Sequence, residues 1–330
     1  MKKVLVMLLI VLVAVSGVFA QGTVETEDSL IEINVGYMPN YNSLCSIVAG
    51  IQTGAFEEEG LKINLIEFTD GPTIIAAMEA GSLDLGFIGH GAHKLCINGR
   101  ALIFFMDHLG NGDKIVGRKS HGVNSLEDLK GKKVGYSAGT SSENILRLGL
   151  KRVGLTMDDI VAYEMDASAL TTAMTSGSLD ACVSWSPSPE TICTQLGDDA
   201  VVLASNETFS DETVSIDSFI VMPSWLEKNR DTLVKFTRAL YKGADYRAEE
   251  ENMRQVAEWV ANQIAGDVEI IYQTVHGSKW YTKEDIVNGI NDGSIKNLYE
   301  VQKKAFGDVV DPDTPVENYV LFDIMLEAAN

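Results

Sequence analysis

One pattern occurs twice in this chain and limits its architecture more than any other feature. Ala77-Met78-Glu79-Ala80-Gly81-Ser82-Leu83-Asp84 returns as Ala173-Met174-Thr175-Ser176-Gly177-Ser178-Leu179-Asp180, at a constant offset of 96 residues (177 − 81). In each copy an apolar helical run ends at a glycine, whose freedom to adopt a left-handed conformation closes a helix and turns the chain sharply. A short apolar strand follows the Leu-Asp pair, Leu85-Gly86-Phe87-Ile88 in the first copy and Ala181-Cys182-Val183-Ser184 in the second. Strands that are apolar throughout are those buried on both faces of a parallel sheet. The chain is therefore predicted to be α/β, with two similar units facing each other. Ligands of open α/β sheets bind beyond the carboxyl ends of the strands. The loops Gly89-His90-Gly91-Ala92-His93 and Trp185-Ser186-Pro187-Ser188-Pro189 are thus the first candidates for the walls of one cleft.

The N-terminus reads as an export signal. Lys2 and Lys3 precede an apolar run from Val4 to Val15, and Val18-Phe19-Ala20 offers small residues before Gln21. A membrane span needs about 20 apolar residues, so residues 1–20 are predicted to be a cleavable signal peptide of a periplasmic protein that is not embedded in the membrane. No cysteine stands near the cut, which removes the expectation of a lipid anchor. The remaining chain of about 310 residues exceeds what one core organises. Two lobes are expected: residues 21–113 for the first part of lobe 1, 114–216 for lobe 2, and 217–330 for a return to lobe 1 with C-terminal helices. The chain carries 26 Lys and Arg against 47 Asp and Glu, a formal charge of −21. Such a surface repels phosphate backbones and anionic membranes and argues against nucleic acid as a partner. Screening leaves a small anionic ligand admissible.

The pattern of apolar runs and breakers gives the element order. Strands are predicted at Ile31–Tyr37, 62–68, 85–88, 101–106, 115–118, 133–136, 160–164, 181–184, 201–203 and 218–222, with helices between them and an almost wholly helical tail after Pro223. Ser125 to Gly131 reads as a short capped helix, and Thr282-Lys283-Glu284-Asp285 as a capping box. Four cysteines fit no zinc motif. Outside the cytoplasm, Cys45 with Cys96 and Cys182 with Cys193 are the pairings compatible with the two lobes.

These residues resemble a known family, the extracytoplasmic solute-binding proteins of ABC importers, in the branch for nitrate, taurine and alkanesulfonates that also includes thiamine-precursor binders. The resemblance is carried by Gly54-Ala55-Phe56-Glu57-Glu58-Glu59-Gly60-Leu61, Gly71-Pro72, Gly81-Ser82-Leu83-Asp84 and Leu126-Glu127-Asp128-Leu129-Lys130-Gly131-Lys132-Lys133-Val134. It continues through Gly139-Thr140-Ser141-Ser142 and Gly177-Ser178-Leu179-Asp180 leading to Trp185. It implies the two-lobed type II periplasmic-binding fold, a ligand cleft between lobes, an ABC permease as partner, a monomer, and no cofactor. One departure bears on the ligand: Ser186-Pro187 follows the tryptophan where sulfonate and nitrate members often have an acidic residue and proline.

The candidate site residues come from loops at strand ends. In Ser137-Ala138-Gly139-Thr140-Ser141-Ser142, amides and hydroxyls of Ser137, Gly139, Thr140, Ser141 and Ser142 converge at a helix start, where the helix dipole favours an anion. Ordinary capping accounts for the same residues. Trp185 offers an apolar wall, with Ser186 beside it. Gly89 and His90 follow the first repeat strand, with His90 as a hydrogen-bond donor. His90 and His93 lie three apart, but only Asp107 and His108 keep them company, so no metal site is expected. Asn40, Tyr41 and Asn42 follow the first strand, and Asp217 marks the return crossing. No catalytic motif is complete. The expected function is capture of a small organic molecule, a sulfonate-like anion first, covered by Trp185, Tyr41 and Phe87. The alternatives are binding of a pyrimidine or thiamine precursor, a secreted enzyme of pyrimidine metabolism, and a ligand sensor for a membrane receptor.

Overall fold

Alternating apolar residues form β1 (Ile31–Tyr37), and Asn40 then caps α1 (Tyr41–Gln52) by accepting the Ser43 N–H at 2.9 Å. The computed structural model describes residues 30–330, and the predicted signal peptide lies outside the described residues. After α2 (Ala55–Glu58) and β2 (Leu61–Glu67), Asp70 caps α3 (Gly71–Glu79), which leads to β3 (Leu85–Ile88). Then come α4 (His93–Ile97), β4 (Leu102–Leu109) and β5 (Lys114–Arg118). The second series is β6 (Lys133–Tyr136), α5 (Ser141–Arg152), β7 (Val161–Glu164), α6 (Ala167–Ser176), β8 (Ala181–Ser184), α7 (Ser188–Leu196) and β9 (Ala200–Ser205). The chain closes with β10 (Ile216–Val221), α8 (Pro223–Ala248) and a helical tail containing the two-residue β11 (Lys279–Trp280).

Two sheets result. The first has the order β11-β4-β10-β3-β1-β2 and the second β7-β6-β8-β5-β9. In each, three parallel strands from one βαβαβ run (β2-β1-β3 and β7-β6-β8) are followed by one antiparallel strand, β10 or β5, that begins just after the chain has crossed between lobes. The tail helices cover the first lobe. At Gly243, α8 crosses α1 so closely that a Cβ would stand 2.1 Å from the Ser46 carbonyl oxygen. No helix among the described residues is long and apolar enough to cross a membrane.

The sequence repeat is a repeat of packing and hydrogen bonding. Asp84 donates its N–H to the Asn34 carbonyl at 3.0 Å and accepts the Asn34 N–H at 2.8 Å. Asp180 does the same with Lys133, at 2.9 and 2.8 Å. Each pair is a two-bond clasp that fixes the helix–strand turn to the neighbouring strand. Above each clasp a leucine from the repeat and a helical side chain cover a strand glycine. A Cβ on Gly36 would meet Leu83 at 2.6 Å and Ile74 at 3.1 Å, and one on Gly135 would meet Leu170 and Leu179 at 2.5 Å each. The turns are reached through Gly81 and Gly177, at φ of +75° and +81°.

Three local expectations are corrected. Ser125 to Gly131 forms only a single 3-10 turn, Glu127–Leu129, because the Asp128 carboxylate bonds back to the amides of Asn124 and Ser125 and Gly131 turns left-handed at once. The proline-bearing segment after Trp185, read as loop, enters α7. Its prolines stand at the helix start, where a missing N–H is harmless. All four cysteines are free thiols, so neither disulfide pairing forms. Cys45 and Cys96 fill the core as small apolar groups, and burial pushes both thiols up to about 12.

Removing the clasp or overfilling it is expected to destabilise the fold. Asp180→Ala should lower the unfolding free energy by about 1.5–3 kcal/mol, and Gly135→Ala by about 1–3 kcal/mol. Both are read as lower urea midpoints at unchanged slope. An unchanged midpoint in Asp180→Ala would remove the clasp from the account of stability.

Candidate functional site

The chain leaves the first sheet at residues 110–113 and returns at residues 206–215, and these two crossings lie side by side. Asn206 ties them together: its side-chain oxygen accepts the Asp113 N–H at 2.7 Å, and its amide donates to Asp113 Oδ2 at 2.8 Å and to Ser215 Oγ at 2.7 Å. Against the crossings lies a cleft of about 550 Å³ counted out to its mouth. Its walls are the strand-end loops of both lobes. Met38, Asn40 and Asn42 follow β1, Gly71 and Pro72 follow β2, and Phe87, Gly89, His90 and Ala92 come from β3 and its loop. Thr140 and Ser141 follow β6, Trp185 and Ser186 follow β8, the first crossing supplies Gly110, Gly112 and Asp113, and β10 supplies Asp217 near its start.

A string of buried alternating charges runs up to this cleft. Arg247 on α8 is fully buried; it donates from Nε to Ser46 Oγ at 2.7 Å and from Nη2 to the Asp107 carbonyl at 2.9 Å, with its guanidinium 4.5 Å above the Trp280 ring. Asp107 accepts a hydrogen bond from Ser46 Oγ, and its other oxygen accepts His108 Nδ1–H at 2.7 Å. His108 Nε2 then meets Asp217 Oδ2 obliquely at 3.0 Å as an ion pair. Asp217 Oδ1 accepts the His90 N–H at 2.9 Å on the cleft wall. Burial pulls the His108 pKa down, but the carboxylates of Asp217 and Asp107 outweigh it and the pKa is raised. For Asp107, burial pushes up, yet Arg247 and His108 prevail and its pKa is lowered.

Asp113 is the second carboxylate of the cleft. It accepts Ser141 Oγ–H at 2.5 Å and stands 3.9 Å from His90 Nδ1. Burial raises its pKa despite the opposing effects of His90, Ser141 and Asn206. His90 is 1% exposed and its Nε2 has no hydrogen-bond partner. No lysine or arginine stands among the cleft walls.

Of the residues selected from sequence, Asn40, Asn42, Gly89, His90, Thr140, Ser141, Trp185, Ser186 and Asp217 meet at this cleft. Tyr41, Ser137, Gly139 and Ser142 do not. Tyr41 turns inward and packs edge-on against Trp280 at 5.5 Å. Several donors of the turn before α5 are bonded within the protein. The Ser137 N–H goes to Ser142 Oγ, the Gly139 N–H to Glu143, Thr140 Oγ1–H to the Ser137 carbonyl, and Ser142 Oγ–H to the Val183 carbonyl. These bonds are those of a helix cap. His93 turns away from His90, bonding Gln302 at 2.8 Å and stacking on Tyr299, and no cluster of three or more metal-ligating side chains occurs among the described residues. Asp113 was not selected from sequence. Its signal was its place at the first lobe boundary, the same criterion that singled out Asp217 at the second.

A family model described as NMT1/THI5 like matches residues 42–252. A Brucella abortus protein named as a putative binding protein is 29% identical over 293 residues, 88% of this chain and 90% of that one. A Bacillus subtilis protein named as a putative aliphatic sulfonates-binding protein is 25% identical over 259 residues, 76% of this chain and 75% of that one. The solved alkanesulfonate-binding protein of Xanthomonas axonopodis pv. citri, bound to MOPS, superposes with a TM-score of 0.65 at 19% identity, over 88% of this chain and 97% of that one. At that identity the likeness is one of fold, and the fold is the two-lobed periplasmic-binding type expected from the sequence.

The buried histidines have opposite effects on stability. His93 is held neutral, with its pKa lowered to about 4 by burial, so its stabilisation is lost as pH falls from 6.5 toward 4. Between pH 7 and pH 4.5 the parent should lose about 2–3 kcal/mol more unfolding free energy than His93→Gln, measured in urea. His108, with a raised pKa, stabilises fully below its unfolded value of 6.5 and loses that contribution as pH climbs through the folded value. His108→Gln should therefore flatten the alkaline side of the stability profile.

Proposed function

The chain belongs to the NMT1/THI5-like family, and we propose that it is an extracytoplasmic solute-binding protein that closes two lobes on a small molecule and hands it to an ABC permease. It works as a monomer, exported by the N-terminal segment. The ligand is a flat heterocycle rich in N–H donors or positively charged, with an aminopyrimidine as the reference case. One observation carries this choice: the carboxylates of Asp113 and Asp217 face a cleft whose walls include no lysine or arginine. Each carboxylate already has donors within the protein, Ser141 and Asn206 for Asp113 and His90 and His108 for Asp217. A carboxylate can accept more hydrogen bonds than these, and its charge favours a donor-rich or cationic ligand over an anion. An amino group supplies such donors, His90 Nε2 is free to bond a ring nitrogen, and half-buried Trp185 offers its face to the ring.

The cleft supports a binder over an enzyme. Ser141 bonds Asp113 and not His90, and Ser186 Oγ donates to Glu190 at 3.0 Å, so neither serine is paired with a histidine as in a Ser-His arrangement. A sulfonate-like anion is the second reading. It is favoured by what the Bacillus and Xanthomonas proteins are named for and opposed by the charge of the walls. Its head would sit at Thr140 and Ser141.

The two readings separate on one panel of variants. Protein freed of ligand by unfolding and refolding is screened by thermal shift against aminopyrimidines, aliphatic sulfonates, taurine and nitrate; a ligand at 100 times its Kd adds about 2.7 kcal/mol. Calorimetry with the hit then follows. Asp217→Asn and Trp185→Ala should each weaken an aminopyrimidine about tenfold or more, as loss of a charge-assisted bond or a stacking face requires. A sulfonate that binds the parent tightly, binds Asp217→Asn more tightly, and loses about tenfold in the double variant Thr140→Ala with Ser141→Ala would reverse the order.

A further inference from the structure

Beside the cleft, the two lobes meet backbone to backbone. Gly91 lies on the 3-10 turn His90–Ala92 of the first lobe and packs against the peptide joining Thr140 to Ser141 at the start of α5 in the second. A Cβ on Gly91 would stand 2.1 Å from the Thr140 carbonyl carbon, 2.2 Å from the Ser141 nitrogen and 2.3 Å from the Thr140 oxygen. Gly91 is not among the glycines with positive φ. The first lobe's own backbone therefore does not require glycine here, and the close approach of the opposite lobe does. Two further contacts continue this edge. Pro72 reaches 3.2 Å from the position a Cβ on Gly139 would take, and Lys94 Nζ stands 3.9 Å from Glu143 Oε2. Gly91, Lys94, Gly139 and Glu143 all lie off the cleft walls.

We infer that this edge is a latch, a lobe-to-lobe contact at the rim of the ligand cleft whose closeness depends on the absent side chain at position 91 and which sets the balance between open and closed lobes. The opposing peptide cannot retreat by itself. Ser142 Oγ ties the start of α5 to the Val183 carbonyl at 2.7 Å, and Ser141 Oγ ties it to Asp113 at 2.5 Å. A methyl group at position 91 is relieved by parting the lobes, and a ligand that needs both lobes then binds the closed fraction alone. The inference rests on the two-lobed receptor reading, because closure is what would capture the ligand. It extends that reading by assigning affinity to a residue that touches no ligand.

The lobes themselves provide the readout. Carbodiimide coupling joins a lysine and a carboxylate directly, so the Lys94–Glu143 amide, quantified by mass spectrometry, reports closure in the full chain without any ligand. The Lys62–Glu32 amide, a pair 3.0 Å apart within the first lobe, is the internal control. Gly91→Ala should slow Lys94–Glu143 coupling relative to the control by about fivefold or more, enlarge the radius of gyration in solution scattering, and leave circular dichroism and the urea midpoint unchanged. Equal coupling in parent and folded variant overturns the latch. Should Gly91→Ala fail to fold, the surface variant Lys94→Glu decides by scattering. A like charge opposite Glu143 should open the lobes, and an unchanged radius overturns the inference. Because these readouts need no ligand, failure of the latch and failure of the ligand screen are separate results.

Discussion

Arg247, Asp107, His108 and Asp217 form one line of alternating charge, and the first lobe is organised around it. An isolated charge in a protein interior is very unfavourable, and breaking a buried pair leaves the partner uncompensated. Here each member answers the next, and the four come from three elements: α8, β4 and β10. Ser46 draws α1 into the same network through Arg247 and Asp107. The outermost member is the carboxylate that holds the His90 loop against the cleft. The polar wall of the site is thus continuous with the charge balance of the lobe's core. The position of Asp217 follows from the strand pairing of residues that lie far from the cleft.

The repeat shows how one fold unit is used twice for different chemistry. Both clasps hold a helix–strand turn by the same two bonds and cover a strand glycine with the same leucine, yet the loops that follow share nothing. After β3 comes Gly89-His90-Gly91, a polar loop tight enough for main-chain contact with the other lobe. After β8 comes Trp185-Ser186, an aromatic face. The remaining oxygen of each clasp aspartate also finds a different donor, Trp225 Nε1 at 2.9 Å for Asp84 and His121 Nδ1 at 2.8 Å for Asp180. Identical scaffolding therefore presents two unlike walls to one cleft, one polar and one apolar.

The crossings matter because they alone belong to both lobes. The first carries Asp113 into the cleft and the second leads directly into β10, where Asp217 stands, and Asn206 clips the two segments together through three hydrogen bonds. The cleft wall and the links between the lobes therefore share residues. Any molecule that engages Asp113 and Asp217 acts directly on the segments about which the lobes would move.

Local sequence sufficed wherever the cause was local. The glycines at 81 and 177, the caps at Asn40, Asp70 and Thr140, and the apolar strands that follow Asp84 and Asp180 are dictated by short-range sterics and hydrogen bonding, so the α/β series and nearly every strand were legible in the chain. Two lobes were expected from the length of the chain, and the repeat pointed to two similar units. What the sequence left open depended on contacts between distant residues. The Ser137 to Ser142 turn reads equally as an anion cradle or a cap, and only the folded chain shows the hydroxyl of Ser142 bonded to the Val183 carbonyl and the Gly139 N–H to Glu143. Tyr41 and Asn42 are adjacent in sequence, but α1 docks with one facing Trp280 and the other facing the cleft. Asp107 and His108 had no motif to mark them, because their meaning arises only when β10 brings Asp217 beside them and α8 brings Arg247. Burial and charge pairing act over space and not along the chain, so the tertiary structure alone decided which polar residues are neutralised in the core and which are left to face a ligand.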